Sequence, residues 1–131
     1  MLHTPREFAA VAAARGPRAP RAARRFLAMS SLISESIDDG AARVRCGLTI
    51  PRRLARRSVD RNLVKRVARE ALRAALPALA EAVTPLRVDL VLRLKAPLPP
   101  VVALARRQLR RQLRDEADAL LAGLVRDARA C

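Results

Sequence analysis

Aromatic side chains are nearly missing from this chain: tryptophan and tyrosine are absent, and Phe8 and Phe26 make up the whole 2%. That scarcity excludes the ladder of rings on which single-strand binders lay successive bases, and leaves charge and shape to recognise any nucleic acid. Histidine occurs once, at His3, and cysteine twice, at Cys46 and Cys131. So few ligands build neither a zinc site nor a disulfide framework. Cys46, set in an apolar run, reads as a small buried hydrophobe in a reducing compartment. No window nears the roughly 18 uncharged apolar residues of a membrane span, and the start lacks a continuous apolar signal region. A cytoplasmic protein with no membrane partner is the expectation.

Negative charge is scarce as well. Against 27 basic residues stand 12 acids, for a net charge of +15 and an isoelectric point near 11.8. The excess points to a nucleic-acid partner. Lys65 and Lys95 are the lysines and all other basic residues are arginines; a GC-rich genome produces the same bias, so the preference carries no functional weight. A metal-dependent nuclease needs carboxylates converging on ions about 4 Å apart. The acids here are scattered: Asp38 and Asp39 in a turn, Asp60 at a helix start, Asp89 alone on a strand, and Asp115, Glu116 and Asp118 within a helix. His3, in a start expected to be disordered, is a poor general base, and neither a Ser-His-Asp set nor a Gly-rich phosphate loop is present. No catalytic residue and no metal ligand is therefore expected in the chain itself.

At 131 residues the chain forms one domain, residues 1–131, with an ordered core over about 5–126. Pro5 suits a first helical turn, and Phe8, Val11 and Ala12 recur on one side, predicting a helix over 5–14 that Gly16 and Pro17 end. Residues 15–25 are basic and interrupted by proline, which leaves a flexible loop or a ragged edge strand. Residues 26–33 and 44–50 are apolar runs around an Asp39-Gly40 turn signal and read as an antiparallel hairpin closed by Pro51. Residues 88–94 form a mostly buried strand. Residues 101–126 form the last helix, with Val102, Ala105, Leu109, Leu113, Leu120, Leu121 and Leu124 inside and Arg106, Arg107, Arg110, Arg111 and Arg114 outside. Helices and strands in this order predict an α+β sandwich.

The most informative stretch is 58–76. At about 100° per residue, Val64, Val67, Ala68, Ala71, Leu72 and Ala75 gather on one face, and Arg61, Asn62, Lys65, Arg66, Arg69 and Arg73 on the opposite one. Ser58 or Asp60 is the expected N-cap, and Pro77 is expected to stop or kink the helix. Beyond the cap Glu70 is the single acid of the stretch. Like charges crowded on one face repel, so the array awaits a polyanion. Arg52, Arg53, Arg56 and Arg57, in the connection before the helix, enlarge the basic surface.

The run Arg61-Asn62-Leu63-Val64-Lys65-Arg66-Val67-Ala68-Arg69-Glu70-Ala71 resembles the signature helix of the bacterial ribonuclease P protein component, departing from it at Leu63. The likeness extends to Arg52-Arg53, to residues 6–11 and to 88–92, and covers most of 5–120. It implies a ribosomal protein S5 domain 2-like fold: a mainly antiparallel sheet of about four strands, a short first strand near the end of 15–25, about three helices and a left-handed βαβ crossover. It also implies that the chain assists a catalytic RNA subunit, which uses its own magnesium to cut the 5′ leader from precursor tRNA. The protein would be non-catalytic, bind no cofactor and need no obligate protein partner. By this likeness Arg61, Asn62, Lys65, Arg66 and Arg69 contact the catalytic RNA, and a sheet cleft around Phe8, Ala12, Phe26 and Met29 receives the leader. Ala12 and Met29 stand where the family often places rings, which shifts stacking toward Phe8. Leu63 falls at the rim between the basic and apolar faces, with Arg57 or Arg73 supplying the missing phosphate contact. The competing expectation is a ribosomal or RNA-assembly binding protein. A DNA-binding helix-turn-helix would need a second helix just before residue 61, where the pattern offers a strand and an Arg-rich loop.

Overall fold

The computed structural model describes residues 5–35, 43–99 and 103–130. Helix α1 (Pro5–Ala13) is followed by strands β1 (Arg21–Ala23), β2 (Leu27–Ser34) and β3 (Val44–Thr49), helix α2 (Ser58–Val83), strand β4 (Arg87–Leu94) and helix α3 (Ala103–Arg129). The four strands form one sheet in the order β1-β2-β4-β3. β2 pairs antiparallel with β1 and β4, whereas β3 pairs parallel with β4. The fold is the expected α+β class with three helices and a mixed, mainly antiparallel sheet.

The expected hairpin between 26–33 and 44–50 does not form, because β4 lies between the two strands. Burial explains the choice: Val88 through Leu92 and Leu94 are all buried, so β4 needs cover on both faces and a partner on each side. β3, largely half-exposed, takes the edge. The Asp39-Gly40 turn signal, His3, Val102 and Cys131 lie outside the described residues.

Strand alternation then sorts the side chains into two layers. Leu27, Met29 and Ile33 of β2, Cys46 and Leu48 of β3, and Val88, Leu90, Leu92 and Leu94 of β4 join the large core beneath α2 and α3. Val91 and Leu32 face the other way and meet Val11 and Phe8 of α1. Leu79, Leu90, Leu92, Leu113, Leu120, Leu121 and Leu124 are at most 1% exposed, each contributing about 1.5–3 kcal/mol by leaving water.

Helix α2 runs through Pro77 to Val83, beyond its expected end. A proline cannot donate to the carbonyl four residues earlier. Here Arg73 and Pro77 are both exposed, so solvent can satisfy that carbonyl, while buried Leu79 and Val83 hold the added turns on the core. The N-cap also differs: Arg57 occupies it with no side-chain cap bond. Asp60 instead engages Arg106 of α3 at 2.9 Å. Helix α3 likewise outruns its expected end, because buried Ala128 continues its core stripe.

Asp89, isolated in sequence, is not isolated in space. Arg45 on β3 donates to both of its carboxylate oxygens at 2.8 Å and lies 3.6 Å from Glu7 of α1. Hydrogen bonding to Asp89 raises the Arg45 guanidinium pKa above its ordinary value against the opposing effect of burial, so the guanidinium stays charged while linking β3, β4 and α1.

Candidate nucleic-acid interface

The α2 wheel folds as its pattern dictates. Val64, Val67, Ala68 and Ala71 are buried, with Leu72 and Ala75 packed against them at the margin. That burial turns Asn62, Lys65, Arg66, Arg69 and Arg73 to the surface, where all five are exposed. They line one recess of about 380 Å³ whose single acidic member is Glu70. Glu70 is itself engaged from α3, by Arg110 at 3.0 Å and Arg114 at 3.7 Å. No hydrogen bond or ion pair to a described residue ties the side chains of Lys65, Arg66, Arg69 or Arg73, so these donors remain available to an outside anion.

Arg61 stands apart from the array. Its Nη1 donates to the carbonyls of Ala55 at 3.1 Å and Arg56 at 2.8 Å, clasping the 51–57 connection against the helix start. Arg52, Arg53, Arg56 and Arg57 are exposed along that connection, which buried Ala55 and half-buried Leu54 anchor to the core. Leu63, placed at the rim by its angle, is 8% exposed and lines the groove between α2 and α3.

The four residues expected to form a leader cleft are not brought together. Phe26 and Met29 are buried in the core under α2 and α3, because alternation along β2 sends Met29 to the same layer as Leu27 and Ile33. Arg25 covers the Phe26 ring at 5.0 Å. Ala12 is exposed near the end of α1, its carbonyl accepting from Arg15 at 2.8 Å and Arg21 at 3.1 Å. Phe8 does reach an opening: it lines an apolar groove of about 220 Å³ at β3 with Cys46, Gly47 and Leu48, facing Lys65, Ala68, Arg69 and Leu72 of α2. Burial pushes the Cys46 thiol pKa up, so this wall stays neutral at ordinary pH.

Lys65 and Arg69 therefore belong to two surfaces at once, the basic recess and the Phe8 groove. Sequence reasoning missed the β3 side of that groove, because which strand lies at the edge beside α2 depends on β4 inserting between distant segments. It also missed the ion pairs from α3, whose partners stand 46 and 40 positions away.

The family model described as Ribonuclease P matches residues 1–120. The ribonuclease P protein components of Bordetella parapertussis and Bordetella bronchiseptica are each 42% identical over 128 residues, covering 95% of this chain and 91% of theirs. Among solved structures, the Staphylococcus aureus RNase P protein superposes with a TM-score of 0.60 at 16% identity, covering 92% of this chain and 91% of that one, a likeness of fold. The chain belongs to the ribonuclease P protein family.

Proposed function

We propose that the protein is the RNA-binding, non-catalytic subunit of ribonuclease P, docking the exposed face of α2 on the catalytic RNA while the groove beside Phe8 takes the 5′ leader of precursor tRNA. The observation that carries this reading is the sharing of Lys65 and Arg69 between the two surfaces. Two RNA strands repel each other strongly at close range, and cations standing between them reduce that repulsion most where both strands contact the same groups. The leader would lay a base against Phe8 and its phosphates toward Lys65 and Arg69. Arg52, Arg53, Arg56 and Arg57 extend the contact along the RNA.

Magnesium would be held through the RNA subunit. Among the described residues no three His, Cys, Asp or Glu side chains come together as a metal site, and the acids nearest the basic face, Asp60 and Glu70, are engaged by arginines of α3. No catalytic step is assigned to a side chain of this protein. Family membership supports tRNA processing as the process served and an RNA subunit as the partner; no further protein partner is required. The reaction would take place in the cytoplasm. Among the described residues no helix is long and apolar enough to cross a membrane.

Cleavage of precursor tRNA, assayed with protein alone, cognate RNA alone and both together across a magnesium series, tests the reading. Protein alone should be inactive throughout, and the combination should work at lower magnesium than the RNA does. Activity that stays with the RNA-free protein through further purification would overturn the non-catalytic assignment. Co-purification with ribosomal particles instead of one large RNA would favour an assembly role.

A further inference from the structure

A second recess borders α2 on the side away from the Phe8 groove. It lies between α2 and α3, measures about 350 Å³, and has Val59 and Leu63 as its apolar members among Arg66, Arg106, Arg107 and Arg110. Val59 is 43% exposed, and among the described residues Leu76 is the single other large apolar side chain left so open. Val59, with the edge of Leu63, gives the recess a small apolar surface enclosed by arginines. Its cost in water is offset when a partner covers it.

The four arginines divide into two kinds. Arg106 is fixed by Asp60 at 2.9 Å and by the Val59 carbonyl at 2.8 Å, and Arg110 by Glu70 at 3.0 Å. Their charge is locally balanced; two bonds hold the Arg106 guanidinium plane in place, and one tethers that of Arg110. Arg66 and Arg107 have no such tie to a described residue and keep their donors. Planes so held beside an apolar surface suit the flat face of a base, and untied forks suit the phosphates flanking it.

We propose that this groove holds one unstacked nucleotide of the catalytic RNA, its base against Val59 and Leu63 between the Arg106 and Arg110 planes, its phosphates on Arg66 and Arg107. The inference rests on the reading of α2 as an RNA-binding face and adds to it a site for a base. RNA-binding proteins commonly take unstacked bases on aromatic rings or guanidinium planes. With Phe26 buried, this groove relies on arginine planes and aliphatic carbon.

Binding of the transcribed cognate ribonuclease P RNA, measured over a salt series, tests it. Val59→Ser should weaken affinity about 3- to 10-fold and Val59→Phe should strengthen it by a similar factor, since stacking surface is lost or gained. Both should leave the slope of log affinity against log salt unchanged, because no phosphate contact is altered. Thermal melting identical to the parent would show that both variants fold, and a gain in affinity cannot arise from misfolding. If both variants bind within twofold of the parent while Arg66→Ala binds more weakly, the groove holds no base and the RNA-binding reading of α2 stands. A loss of affinity with both substitutions, or a changed slope with either, also overturns the proposal. If Arg66→Ala has no effect either, the reading of α2 itself fails.

Discussion

A single carboxylate, that of Glu116, joins the last helix to the start of β2. Its Oε1 accepts the N–H groups of Phe26 at 2.8 Å and Leu27 at 3.1 Å, and its Oε2 accepts from Gln112 at 3.3 Å. Removing the acceptor strands two buried donors, each costing about 1–3 kcal/mol. Glu116→Ala should therefore lower unfolding free energy by about 2–5 kcal/mol in urea titration, and Glu116→Gln, which keeps an acceptor, by less than half as much. A loss under about 0.5 kcal/mol for the alanine variant would show that water takes over both donors. Nothing local in the sequence marks this role, since Glu116 reads as one more charged residue in a helix and its partners lie 90 and 89 positions away. Asp89 is illegible for the same reason. Met29 differs: the family likeness puts it in a cleft with Phe8, whereas alternation along β2 sends its side chain to the layer of Leu27 and Ile33.

At the scale of the element, α2 is where sequence and structure agree most closely. The 3.6-residue period separates the faces without reference to the rest of the fold, so Val64 and Val67 come out buried and Arg66 and Arg69 exposed as expected. That separation is testable within two adjacent residues. Arg66→Ala removes an exposed fork, so stability should change by no more than about 0.5 kcal/mol while the salt slope of RNA binding falls by about one. Val67→Ala empties space in the core and should cost very roughly 1–3 kcal/mol, with the slope of the folded fraction unchanged. Urea titration and salt-dependent binding on the same preparations check both. Unfolding by Arg66→Ala with unaltered affinity per folded molecule would make the basic face structural. Ends are less legible than faces. The breaker Pro77 was expected to stop or kink α2, yet the burial of Leu79 and Val83 carries the helix past it, and such burial becomes visible only once the sheet is assembled.

For the whole molecule, the class was legible and the strand order was not. An apolar run flanked by a turn signal predicts a hairpin, but the competition for the centre of a sheet is decided by how much of each strand must be covered, and β4 needs more cover than β3. With β3 at the edge beside α2, the basic recess and the Phe8 groove share Lys65 and Arg69, so the placement of the candidate site follows from topology and its composition from the helix pattern. The charge of +15 acts from that arrangement on any RNA within about a Debye length, about 8 Å at physiological salt. The most direct measurement is the affinity of the intact protein for its cognate catalytic RNA between 50 and 200 mM monovalent salt. If the exposed basic surface neutralises roughly 6–10 phosphates, affinity falls by about 10³ to 10⁵ across that range; a nearly flat dependence would contradict the assignment of the arginine array as the RNA-binding surface.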